Sequence, residues 1–477
     1  MRPSVLGAVA GVMVVVLVLV ALAWPLNQGA CVVAKAEPVS FEGLRGHVRF
    51  LFVEVVPPLM ESLLESVNAT GLAEVVKLGS APSQPVDKAL IFVHASDVVR
   101  GKHLSYLDAL LKLLSSCNKC AVALLNVDPK LDRGDAMFAE EVIMKVYGGL
   151  GINPVLPLEP GAVTDKLSGF LLHEVLSSAD MLVFTFNPPG TIIVERLGPV
   201  DFARVLGAIL EWTELVNPTT LPKNARIEHS SLIRAPKGMV LVGLLGWISN
   251  YTYGKACGEI TGRQMVYVRY YYGNNTSAAG KLYHVWYVYV QHSGVGYETQ
   301  CNWWIFRYTV YHYPKRFLTT TDWRTTTWPG QVVDDWQPKN VGSAVVVHYH
   351  VTSGISVGLG KYFSAEVQYS TGFTETTPGV PYYTWLDRSE PADGIVRTEH
   401  VVNQGTFKDS QMTGLIFTVE PSSFGFLDPD RPGGTMPMII TQSFYMELNT
   451  GDYVNVTYGL ALWSTQFSYW YSGGQTG

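Results

Sequence analysis

Trp323, Trp328 and Trp336 fall in a Thr-rich stretch beside Asp322, Asp334 and Asp335, and Trp303 and Trp304 shortly precede them. Flat indole rings can pack on the apolar faces of sugars while neighbouring carboxylates hold hydroxyls, and paired carboxylates can cleave glycosidic bonds. The pattern predicts ligand contact by Trp323, Trp328, Trp336, Asp334 and Asp335, with carbohydrate as the ligand class. A second group, His94, Asp97, Asp128 and Asp132, follows two predicted strands. Open α/β sheets bind ligands beyond the carboxyl ends of their strands, so these residues are candidates for an acidic cleft.

No nucleotide-binding glycine pattern follows the first predicted strand, and no P-loop or nucleophile elbow occurs. With no signature to place them, catalytic residues stay unassigned, and neither a cofactor nor a metal is expected. His348 and His350 share one face of a predicted strand, and the alternation around them gives that face to solvent.

Cys117 and Cys120 form the sequence CNKC. A redox-active pair opens a helix, whose N-terminus lowers the thiol pKa. Here a helix is predicted before the pair and a strand after it, which reverses that dipole. The expectation is a local disulfide, Cys117–Cys120, with a second, Cys257–Cys301, closing a long loop and Cys31 left over. Of the Asn-x-Ser/Thr sites, Asn250, Asn274, Asn275 and Asn455 are expected to carry glycans, whereas Asn68 falls in a predicted helix.

These residues need elements to position them, and the first element fixes their compartment. Val5 to Trp24 is an uninterrupted apolar run preceded by Arg2 and followed by no positive charge until Lys35. About twenty helical residues span about 30 Å, the thickness of a bilayer core. The charge asymmetry predicts a single-pass anchor through Val5–Trp24 with the bulk of the chain outside. The Ala34-Lys35-Ala36 pattern supports the alternative, a cleaved signal peptide and a secreted protein. The net charge of −6, with dispersed Lys and Arg, excludes nucleic acid as a partner.

Beyond residues 1–36, the segment 45–215 alternates continuous apolar strands with amphipathic helices. That pattern predicts a doubly wound, Rossmann-like α/β domain with a mostly parallel sheet. A Pro-containing linker is expected at 216–238. From 239 to 477 the period falls to two, predicting a large antiparallel β-sandwich or barrel. Within it, Val341 to Thr377 is charge-poor, alternates small and polar residues and breaks at Gly358-Leu359-Gly360-Lys361. In style it is similar to the insertion hairpins of β-barrel pore-forming toxins, which implies pore formation. The leading expectation is a membrane-anchored, cell-surface binding or structural protein whose partners are carbohydrate or other surface proteins. The alternatives are an extracellular glycan or polymer hydrolase and a β-pore-forming protein.

Overall fold

The computed structural model describes residues 49–52, 76–77, 88–94, 103–117, 119–125, 142–152, 156–158, 179–195, 205, 209, 212–213, 239–252, 260–276, 282–303, 305–323, 332–339, 341–345, 379, 381–427 and 438–462. The first half supplies strands β1 (Arg49–Phe52), β2 (Val76–Lys77), β3 (Lys88–His94) and β4 (Lys119–Leu125), then β5 (Leu156–Leu158), β6 (Met181–Phe186) and β7 (Pro189–Glu195). Helix α1 (His103–Ser116) lies between β3 and β4, and helix α2 (142–149) between β4 and β5.

The expected doubly wound α/β domain does not form. β2, β1, β3 and β4 are parallel neighbours, but β6 lies antiparallel to β4, and β7 antiparallel to β6. A tight turn at Asn187-Pro188 reverses the chain, with the Thr185 hydroxyl donating to the Pro188 carbonyl at 2.8 Å. β5 leaves this sheet altogether and pairs antiparallel with a strand from the other end of the chain. The misreading has a physical cause. Runs such as Met181–Phe186 are buried at every position, which reports cover on both faces but carries no information on strand direction.

The second half supplies β8 (Val240–Thr252), β9 (Ile260–Thr276), β10 (Leu282–Gly296), β11 (Glu298–Trp303), β12 (Phe306–Tyr311), β13 (Pro314–Asp322) and β14 (Val332–Gln337). It continues with β15 (Val341–Val345), β16 (Tyr382–Asp387), β17 (Ile395–Asn403), helix α3 (Asp409–Met412), β18 (Ile416–Val419), β19 (Ser422–Leu427), β20 (Met438–Leu448) and β21 (Tyr453–Leu462). β7 runs parallel to β8, pairing Gly190 with Leu244 through Glu195 with Ser249. One mixed 12-stranded sheet therefore extends across the two halves, in the order β14-β19-β10-β9-β8-β7-β6-β4-β3-β1-β2 with β18 also on β10. The expected linker, 216–238, lies outside the described residues, and the strands on either side of it are neighbours in this sheet.

A second, antiparallel sheet of seven strands has the order β15-β16-β17-β13-β20-β21-β5. The two sheets pack as a sandwich, in agreement with the period-two reading of the second half. Trp247, Val268, Tyr270 and Trp286 from the large sheet meet Ile440, Phe444 and Tyr458 from the small one in a single buried cluster. Along β21, Tyr453 and Asn455 are exposed while Val454 and Val456 pack against the core, as the alternation requires.

The same cluster extends to α1, whose Leu110, Leu113 and Leu114 share one face by their spacing, and to Ile143, Val146 and Tyr147 of α2. The Tyr147 hydroxyl donates to the Thr185 carbonyl at 3.0 Å and ties α2 to β6. On the other face of the large sheet, Trp212 stacks on Tyr267 with ring centroids 5.1 Å apart. Gly246 leaves room for that indole, since a Cβ there would lie 2.9 Å from it. Among the described residues no helix is long and apolar enough to cross a membrane; Val5–Trp24 lie outside them.

Candidate functional site

β11 and β12 belong to neither large sheet. They form a two-stranded ribbon of their own, paired from Glu298 with Tyr311 to Trp303 with Phe306, so the chain reverses between Trp303 and Phe306. The base is rooted in the sandwich. Thr299 near the base is buried, and so is Cys301, which faces Tyr308 across the ribbon and is disulfide-bonded. The Tyr297 amide donates to the Thr261 carbonyl at 2.8 Å, and the His312 amide donates to the Tyr297 carbonyl at 3.3 Å.

The tip is the opposite. Ile305 is 83 % exposed, Phe306 62 % and Tyr308 46 %, with Asn302 and Arg307 exposed beside them. Single exposed apolar residues are ordinary on protein surfaces, but a contiguous exposed patch marks an interaction site. Sequence reasoning noted Trp303 and Trp304 and missed Ile305, Phe306 and Tyr308. A signal was there: Trp303-Trp304-Ile305-Phe306 is an apolar run at a hairpin turn, where polar residues are the rule.

The described residues among those expected to bind ligand sit elsewhere and differently. Trp323 is 1 % exposed and belongs to the main core. A Cβ at Gly425 would lie 2.9 Å from its ring, so glycine is what lets β19 pass over it. Trp336 is half-buried, and its indole nitrogen donates to the Asp387 carboxylate at 2.9 Å. The Lys339 ammonium lies 4.5 Å from the centre of the same ring and 2.5 Å from the Asp335 carboxylate. Asp334 sits where β14 slips register against β19, between Val333 and Asp335. Trp328 lies outside the described residues. The structure thus uses Trp323 as core and Trp336 as a brace, and Asp335 is engaged by Lys339.

His94 ends β3 opposite Leu125 of β4; Asp97, Asp128 and Asp132 lie outside the described residues. The Cys117–Cys120 disulfide is present, joining the end of α1 to the start of β4, with the Cα atoms 5.9 Å apart. Cys257, the expected partner of Cys301, is outside the described residues, as are Cys31, His348, His350 and the hairpin segment 346–377. Asn455 is exposed on β21. Asn250, expected at the surface, is instead 2 % exposed, and its side-chain oxygen accepts from the Arg263 guanidinium at 2.8 Å. Asn274 and Asn275 pair with His284 and Tyr283 near the end of β9. Among the described residues no three His, Cys, Asp or Glu side chains group as metal ligands.

A seam of buried polar groups runs inside the sandwich. His292 on β10 lies 2.5 Å from the Gln264 amide nitrogen and 3.0 Å from the Thr319 hydroxyl, with Phe317 and Phe444 edge-on to its ring. His400 on β17 lies against Tyr383 and Trp385. Burial disfavours the charged imidazolium and pushes both histidines down to about 3, with the electrostatic effect of His400 adding to the shift at His292. Both rings are therefore neutral at physiological pH and serve the interior, away from solvent.

No protein-family model matches the chain, and no curated protein matches it in sequence. Among solved structures it is similar to Clostridium perfringens delta-toxin, at 10 % identity and a TM-score of 0.26, over 46 % of this chain and 89 % of that one. A structure described as a pore forming protein gives 6 % identity and a TM-score of 0.22 over 45 % of this chain and 86 % of that one. The collagen-binding domain from a Staphylococcus aureus adhesin gives 10 % identity and a TM-score of 0.16 over 39 % and 95 %. Superpositions this loose carry no conclusion about function.

Proposed function

We propose that this is an exported binding protein of the cell surface, anchored through Val5–Trp24, in which the β-sandwich is a rigid scaffold and the β11–β12 hairpin is the element that engages a partner. The observation that carries the reading is the exposure of Ile305, Phe306 and Tyr308 on a ribbon whose first strand is fixed by burial of Thr299 and Cys301. A rooted base lowers the entropy lost when the tip is immobilised against a partner, because the ribbon is already ordered. The apolar leader, the disulfide-bonded cysteines and the exposed Asn455 are all consistent with an extracellular address.

Two measurements test this together. Intact cells expressing the full chain are treated with a membrane-impermeant amine reagent, which labels the protein from outside if the address is right. Labelling only after lysis would sink the reading. Substituting Ile305→Ser and Phe306→Ser together is then expected to lower binding of the displayed protein to neighbouring cells by at least about tenfold, because two exposed apolar anchors are removed.

A further inference from the structure

Resting on the reading of the hairpin as the binding element, we infer that its tip inserts into the interfacial layer of a zwitterionic lipid bilayer. The chain through the turn reads Trp303-Trp304-Ile305-Phe306-Arg307-Tyr308. Trp and Tyr concentrate at membrane–water interfaces, where an amphipathic ring meets both phases. Ile305 and Phe306, 83 % and 62 % exposed, supply the apolar atoms that reach the acyl boundary. Arg307, next in sequence, has an apolar stem long enough to keep its charge among the headgroups.

Shape and area favour lipid over a folded protein partner. The tip is convex and narrow, a two-stranded ribbon closing between Trp303 and Phe306. Its three described apolar side chains expose roughly 400 Å², about half of what one partner contributes to a standard protein interface. A fluid bilayer needs no matching cleft, and a few inserted side chains suffice for reversible attachment. Charge points to the lipid type. The exposed charged residues of the ribbon are Glu298 near its base and Arg307 near its tip, one of each sign. A ribbon without net charge has little attraction for anionic headgroups, so binding is set by apolar insertion and changes little with salt.

The test uses the full chain reconstituted in phosphatidylcholine vesicles, with an environment-sensitive fluorophore attached at Ile305→Cys. A control chain carries the same label at Tyr453→Cys, an exposed position on β21. Unchanged thermal midpoints of both chains establish that the labels leave the fold intact. The inference predicts a blue shift at 305, quenching there by lipids brominated in their acyl chains, and water-like emission at 453. Water-like, unquenched emission at 305 overturns it. In that event, continued loss of cell binding by the Ile305→Ser, Phe306→Ser chain would show that the hairpin binds a different partner and leave the broader reading standing. Wild-type binding by that double variant would remove both.

Discussion

Two aromatic stretches adjacent in the chain, 303–308 and 323–336, have opposite environments. In the second, Trp323 is enclosed between the sheets and Trp336 is pinned by Asp387 and covered by Lys339. In the first, Ile305 and Phe306 stand in solvent on a ribbon outside both sheets. The residue types are alike, and the difference comes from sheet membership. A segment held against a large sheet has a face to bury, whereas a two-stranded ribbon outside both sheets leaves Ile305 and Phe306 little to bury against. The lesson is that aromatic density locates neither a core nor a site until pairing is known.

The comparison is broken first at Trp323. Trp323→Ala should cost about 3–5 kcal/mol, because the emptied volume lies between two sheets that cannot collapse independently. Chemical denaturation is expected to show a single large loss of midpoint; a change under about 1 kcal/mol would mean that Trp323 packs loosely and that the two stretches differ less than described.

The second effect is acidification, which acts on the core and not on the tip. His292 and His400 are lowered to about 3 in the folded chain from the ordinary histidine value of 6.5. The unfolded chain therefore binds protons that the folded chain refuses below pH 6.5. Stability is complete above that value and is lost progressively as pH falls towards 3. At pH 5 the loss amounts to about 2 kcal/mol for each ring, or roughly 4 for the two. His312, also lowered by burial against the opposing pull of Asp452, acts in the same direction. Denaturation curves at pH 7.5 and 5 measure the sum. His400→Leu should remove about 2 kcal/mol of the loss between those two pH values; an unaltered slope would show that this ring is protonated without cost.

Gly425→Ala comes third. A methyl group 2.9 Å from the Trp323 ring must displace it, at about 1–3 kcal/mol. The same change in a Trp323→Ala background should be nearly free, and a thermodynamic cycle of the four chains reads the coupling directly. The smallest effect is at Lys339→Met. Removing an exposed cation from Trp336 and Asp335 should cost under about 1 kcal/mol. A larger loss would promote Trp336 from brace to core.

Much of the secondary structure was legible. The alternation along β21, the leucine spacing of α1 and the continuous apolar runs of β3, β4 and β6 all correspond to real elements. Sheet order was not, because pairing is set by contacts distant in sequence. The Asn187-Pro188 turn makes β6 and β7 antiparallel, and β5 reaches across the chain to β21. Nothing local in Leu156–Leu158 encodes that partner. The Cys117–Cys120 bridge was legible because its two ends are fixed by the elements flanking them. The hairpin proposed as the site was not read from the sequence. Trp, Asp and Thr density drew attention to 322–336, while the informative irregularity was an apolar run at a turn twenty residues earlier.

The most direct test of the contrast is the chain carrying Ile305→Ser with Phe306→Ser, measured both for stability and for binding to intact cells. Exposed positions outside both sheets should alter stability by no more than about 0.5 kcal/mol while binding falls at least about tenfold. Equal binding by the double variant and the wild type, with the fold intact, would contradict the assignment of the hairpin tip as the site. A loss of several kcal/mol would contradict its separation from the core.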